Sequence, residues 1–145
     1  MIEILVPVSA GELLDKITIL RIKAARIADT SRSANVKREL GLLETVAASV
    51  GLFDVRHAAQ LDALATVNAA LWEIEDAIRE RDSEGDFGAR FVSLARSVYR
   101  NNDLRASIKR EINLLSGSLI VEEKSYADMA FPSAPTNNKK TNNAG

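Results

Sequence analysis

Four runs of this chain place apolar residues at spacings of four and three, a pattern that only packed helices satisfy over such lengths. The first holds Leu13, Ile17, Leu20, Ala24 and Ile27, and the second Val36, Leu40, Leu43, Ala47 and Val50. The third runs through Leu61, Leu64, Val67, Leu71, Ile74 and Ile78. The fourth comes in two parts, Phe87, Phe91, Leu94 and Val98, then Leu104, Ile108, Ile112 and Leu115. At 3.6 residues per turn each set lies on one helix face, which must be buried against another such face. The expected fold is therefore a mainly α-helical bundle of four long segments.

Polar residues mark the ends. Ser9 and Glu12 form a capping box for a helix from about Ala10 to Ala28, and residues 29–33 read as a loop. Gly51 stops the second helix, Asp54 caps a third that reaches about Arg81, and Asp86 caps the fourth. Asn101-Asn102-Asp103 favours helix ends, so a kink or break is expected near Asn102. Residues 2–8 alternate Ile2, Ile4, Val6 and Val8 with Glu3, Leu5 and Pro7, as a short strand does, and Pro7 confines it to an edge. Residues 118–122 also favour extended structure, and a minor two-stranded pairing of the termini is expected.

At 145 residues the chain is one domain, large enough to bury about 68–70% of its unfolded surface. Residues 1–128 form that domain, and 129–145 read as a disordered polar tail rich in Pro, Asn and Thr. The absence of cysteine removes any disulfide framework or thiolate zinc site. The single histidine, His57, is expected at the surface, and there is no Gly-x-Ser-x-Gly elbow for it to serve. A net charge of −1 gives no general attraction to nucleic acid or to an anionic membrane. The N-terminus lacks the basic region and long apolar core of a signal peptide, and no apolar run spans a membrane, so a soluble cytoplasmic protein is expected.

The chemistry concentrates on the fourth helix. Arg96, Tyr99, Arg100, Asn102, Arg105, Lys109 and Asn113 supply more hydrogen-bonding groups than a solvated face needs. Residues 73–86 hold seven acids and two arginines, whereas residues 96–110 hold five basic groups and one acid. If these segments lie side by side they neutralise one another as surface ion pairs, each worth about 0–1 kcal/mol. Any basic group left over would serve an anionic ligand, with Arg105 as a bidentate donor and Lys109 as a point charge. Two acid pairs, Glu12 with Asp15 and Glu73 with Asp76, each share a helix face, where oxygen ligands could hold Mg²⁺. This arrangement resembles the acidic motifs of all-α nucleotide pyrophosphohydrolases, although Glu12 is already explained by its capping box. Asn68, Trp72, Glu75 and Arg79 form a second stripe beside the apolar one on the third helix, and Trp72 is expected at the core edge.

The segments VPVSAGELLDKITILRIKAARI, VNAALWEIEDAIRERD, DFGARFVSLARSVYRNNDLRASIKREIN and GSLIVEEKSY together resemble a family of small bacterial proteins known only as a domain of unknown function. The resemblance extends to about Tyr126 and brings no activity with it. It implies that Glu12, Asp15, Lys16, Glu75, Asp76, Asn102, Asp103, Arg105, Lys109, Asn113, Glu122, Glu123, Lys124 and Tyr126 stand on shared motifs, and that the tail after Met129 lies outside them.

The expected function is a small non-enzymatic binding or adaptor protein, without a cofactor, whose polar cluster receives an anionic small molecule or an acidic segment of a partner. A Mg²⁺-dependent nucleotide hydrolase using Glu12, Asp15, Glu73 and Asp76 is the second reading. A structural homodimer, formed by strand addition at residues 2–8 or through an apolar helix face, is the third.

Overall fold

The first two helices open on a short polar side chain that takes up an N–H which the first turn leaves unpaired, and the other two follow a short turn held by an aspartate. In the computed structural model, which describes residues 1–125, Ser9 Oγ accepts from the Glu12 N–H at 3.1 Å and opens α1 (Ala10–Arg26). Asp29 accepts from the Arg32 N–H and opens α2 (Thr30–Ser49), so most of the expected 29–33 loop is wound into the first turn of a helix. Asp54 caps a short 3₁₀ turn, Val55–His57, which leads into α3 (Ala58–Ser83). Asp86 accepts from the Gly88 N–H just ahead of α4 (Ala89–Ser116), and Gly117, at φ 66°, turns the chain out of it. The tail expected from residue 129 lies outside the described residues.

The four-helix bundle is formed as the apolar spacing requires. α1 packs against α2, α3 and α4, and α3 lies along α4. Leu14, Ile17, Leu64 and Ile112 are fully buried at the centre, with Leu13, Val67, Ile108 and Leu52 around them. Ala47, fully buried, brings α2 close to the core through its small side chain. Among the described residues no helix is long and apolar enough to cross a membrane.

Three expectations are corrected. Among the described residues there is no strand, and residues 2–8 do not pair with 118–122. Ser118 instead binds across the start of α1, accepting from the Ala10 N–H at 3.2 Å and donating to the Ile120 carbonyl. Second, α4 runs unbroken through Asn101-Asn102-Asp103. The Asn101 amide bonds back to the Ser97 carbonyl, and Asn102 accepts from Arg105, so both side chains are engaged without opening the helix. Third, His57 is buried, at 1% exposure, because it closes a 3₁₀ turn whose tighter winding does not follow the phase of α3.

The continuity of α4 sets which residues face inward. Counting from Leu94 at 3.6 per turn, the inner positions fall at Val98, Asn101 or Asn102, Arg105, Ile108 and Ile112. Leu94, Ile108 and Ile112 are buried, whereas Leu104, which a break would have turned inward, is exposed. Asn102 and Arg105 therefore interrupt an apolar face and look into the bundle.

The crossing of α1 over α4 is closest at Gly11. A Cβ on this residue would stand 2.4 Å from the Lys109 carbonyl oxygen, a backbone atom that cannot turn aside. The crossing also settles α1's unpaired N–H groups: Ala10 donates to Ser118, Gly11 to Asn113 Oδ1 at 2.7 Å, and Glu12 to Ser9. Gly11→Ala is expected to destabilise the protein by about 1–3 kcal/mol through overpacking. Gly41→Ala, in α2 with nothing near its Cβ, is expected to stabilise it by about 0.5–1 kcal/mol. Urea midpoints of the two variants, moving in opposite directions from the parent, check both.

Candidate binding site at a three-helix junction

Where α1, α3 and α4 meet, the core carries a polar knot. Asn68 of α3 is buried and uses all its strong hydrogen-bonding capacity toward α1 and α4. Its amide nitrogen donates to Asp15 Oδ1 at 2.7 Å and to Thr18 Oγ1 at 2.8 Å. Its carbonyl accepts from Arg105 Nη1 at 3.0 Å. Thr18 in turn donates to the Asp15 carbonyl at 2.8 Å. Most buried polar groups are partnered in this way, because an unpaired one costs free energy.

Lys109 lies one turn beyond Arg105 and is surrounded by carboxylates. Its ammonium is 2.5 Å from Glu12, 3.3 Å from Glu122 and 3.6 Å from the buried Asp15. Burial works to depress the Lys109 ammonium, but the hydrogen bond to Glu12 and the charges of Asp15, Glu12 and Glu122 outweigh it, and the group is held above its ordinary 10.5. Glu122 is held below its ordinary value, chiefly by a hydrogen bond from Lys124 and also by Lys109.

Arg105 differs from Lys109 in one respect. Its guanidinium donates to two neutral amides, Asn68 and Asn102, the latter at 2.7 Å. Among the described residues no carboxylate stands within ion-pair distance of it, although it is only partly exposed.

Two clefts meet at this side chain. The larger, about 460 Å³, has Asn68, Trp72, Glu75 and Arg79 of α3 on one wall and Asn102 and Arg105 of α4 on the other, with Ile19 of α1 between them. The smaller, about 270 Å³, is bounded by Asn102, Arg105, Lys109 and Lys124. Asn102 and Arg105 form the ridge they share. The second α3 stripe read from the sequence thus lies entirely along the larger cleft. Arg26 stands 5.6 Å from the centre of the Trp72 ring and covers part of it.

Of the residues expected to bind an anion, Asn102, Arg105 and Lys109 come together. Arg96 is exposed and lines neither cleft, nor do Tyr99 and Arg100, which pack on one another at 5.9 Å. Asn113 is buried at the start of α1, where its Oδ1 is taken by Gly11. The acidic and basic segments are also not simply set against one another. Glu75 and Asp76 turn to Arg79, and Arg81 pairs with Glu80, Glu84 and Asp86, whereas Arg110 pairs with Glu123.

The four acids named as Mg²⁺ ligands do not converge. Glu12 and Asp15 turn to Lys109, Glu73 to Arg26 and Asp76 to Arg79. Among the described residues, no three carboxylate or imidazole groups gather as a metal centre would need. Thr18 and Lys124 were not read as site residues. Thr18 could have been found from its position three residues after Asp15 on the buried face of α1, whereas nothing local marks Lys124.

Fold and site together define an all-helical protein with a charged cleft over a buried amide–carboxylate knot. The profile of a family of unknown function, DUF6165, matches residues 4–142, and the chain belongs to that family. The match reaches well past Tyr126, so the tail is part of the family's pattern, contrary to expectation. No curated protein and no solved structure matches the chain.

Lys109 governs the pH response of this region. Because its folded value is raised, its contribution is complete below 10.5 and is lost as pH climbs through the raised value. Lys109→Met is expected to cost about 1.5–3 kcal/mol at neutral pH, since it leaves Asp15 and Glu12 without their charged donor. The difference from the parent should shrink as pH rises above 10.5, read from urea unfolding across an alkaline series. Glu122 acts in the opposite sense, contributing above 4.5 and losing that contribution as pH falls.

Proposed function

We propose that this protein is a small-molecule binding module and that its ligand carries an anionic group placed against Arg105 and Asn102. One observation carries this reading. Arg105 is a partly buried cation whose partners are both neutral amides, set on the ridge between two clefts. Taking a charge partly out of water is unfavourable until a counter-charge arrives, and a guanidinium presents paired donors suited to a carboxylate or phosphate. The structure around Lys109 spends that cation on internal acids, which leaves Arg105 as the group that a ligand would satisfy.

The larger cleft has the volume of an ordinary small-ligand site and the usual mixture of apolar surface and a few aimed polar groups. Leu71, Trp72 and Ile19 offer apolar contact, and Glu75 can accept from donors on the ligand's far side. This concavity favours a small molecule over an acidic partner segment, which would sit better on an open face. The acids near the cleft are already tied to basic side chains, so the reading requires no metal and no turnover.

The test is a thermal-shift screen of the full chain against inorganic phosphate, citrate, a sugar phosphate and a nucleoside monophosphate, each with and without Mg²⁺. A probe at about 100 times its dissociation constant contributes roughly 2.7 kcal/mol, a rise of several degrees for a domain of this size. The expected result is a metal-independent shift with at least one probe, lost in Arg105→Ala and weakened in Arg105→Lys. No shift with any of them, or one that Arg105→Ala leaves intact, would overturn the reading.

A further inference from the structure

The largest exposure of apolar surface lies at the opposite end of α1. Ile2, Ile4, Leu5 and Val6 are 67–88% exposed, and among the described residues their backbone N–H and C=O groups have no hydrogen-bond partner. Val6 and Val8 border a groove of about 370 Å³ whose other walls include Leu13, Leu52, Val46 and Val50. Val46 and Val50 continue an exposed stripe that begins at Leu42, one turn earlier on α2. Ile2 and Ile4 precede Val6 at the same two-residue spacing and are more exposed than it, at 88% and 75%.

We infer that residues 2–8 are the dimerisation strand of this protein and that a second copy is their partner. A patch that holds both an unpaired apolar strand and an apolar groove beside it is self-complementary, which a two-fold interface requires. Antiparallel pairing of the segment with itself satisfies every second residue's open backbone groups and lays the projecting Ile2 of one copy over the groove of the other. At roughly 100 Å² for a wholly exposed aliphatic side chain, Ile2, Ile4, Val6, Val8, Val46 and Val50 bring about 400 Å² of apolar area per copy. A specific interface needs about 800 Å² per partner in all and is little more than half apolar, so the paired backbone, neighbouring Leu42 and a polar rim supply the rest.

Pro7 fixes the register. It has no N–H to donate, so odd-numbered residues must point their backbone groups away from the other copy. Even-numbered residues then form the hydrogen-bonded pairs. Centring on Ile4 sets Ile2 opposite Val6 and Ile4 opposite its own copy, with Pro7 at the strand end. All the even side chains then lie on one side of the ribbon, the side that each groove occupies.

The experiment is sedimentation equilibrium of the full chain over a micromolar concentration series, with amide exchange measured in parallel. A dimer is expected, converted to monomer by Ile4→Lys combined with Val6→Lys. These side chains are exposed in the single chain, so helicity by circular dichroism should not change. The amides of Ile4 and Val6 should exchange more slowly as concentration rises, while those of Glu3 and Leu5 stay fast. A monomer at every concentration overturns the inference, as does a dimer that survives the double substitution. Protection of Ile4 and Val6 in a monomer would instead mean that the chain's own residues after 125 cover the strand, and would equally overturn it.

Discussion

The arrangement of α1, α3 and α4 depends on a single amide. Asn68 reads two oxygens on α1 and one guanidinium on α4, and each of those bonds has a directional optimum that an aliphatic contact lacks. Leu64 and Val67 beside it can slide against their neighbours at little cost, but Asn68 cannot slide without leaving a buried donor unpaired. The apolar faces supply most of the drive to pack, and Asn68 selects the rotation and offset at which they do so. Asp15 and Thr18 are buried for the same reason, as the α1 half of that selection.

A second constraint acts at the far end of the same helix. The start of α1 receives its capping partly from residues more than a hundred positions later, Asn113 and Ser118, and it approaches α4 so closely that only a hydrogen atom fits at Gly11. The two constraints lie one to two turns apart on α1. Together they make α1 and α4 a rigid pair, and the clefts bounded by Arg105 sit on rigid walls rather than on loops. α2 has no comparable polar tie into α3 or α4. It is held to α1 by the apolar seam and by the exposed ion pairs Lys16–Glu39 and Arg21–Glu44.

Helix number, type and order were legible because the four-three spacing is an integer record of the 3.6 period, repeated over many turns. Ser9 marked the start of α1 for an equally local reason, whereas Asp29 was read as loop and Asp54 proved to cap the 3₁₀ turn ahead of α3. The errors have physical causes too. The apparent break at Asn102 came from treating an interrupted apolar face as an interrupted helix. Leu94 and Ile108, fourteen residues or nearly four turns apart, are in fact in phase, with Asn102 and Arg105 filling inward positions between them. That same phase would have identified the inward-facing pair, and the stripe from Asn68 to Arg79 did mark one cleft wall. Which cations remain uncompensated was not legible, because the acids that surround Lys109 arrive from α1 and from residue 122. His57 was misplaced because a 3₁₀ turn resets the angular count.

The long separation between α1 and its partners has a consequence for how the chain reaches its fold. α3 and α4 are neighbours in sequence, joined by a few residues, and can pair as soon as both exist. The bond from Gly11 to Asn113 instead spans 102 residues. During synthesis from the N-terminus, α1 emerges first and meets α2 at once, yet the face carrying Asp15 and Thr18 must wait for Asn68 of α3, and Gly11 for Asn113 of α4. A half-made chain therefore displays an apolar face studded with polar groups meant for absent partners, which disfavours stable burial against anything else. The last of the described helices to be made is the one that lets the first finish folding.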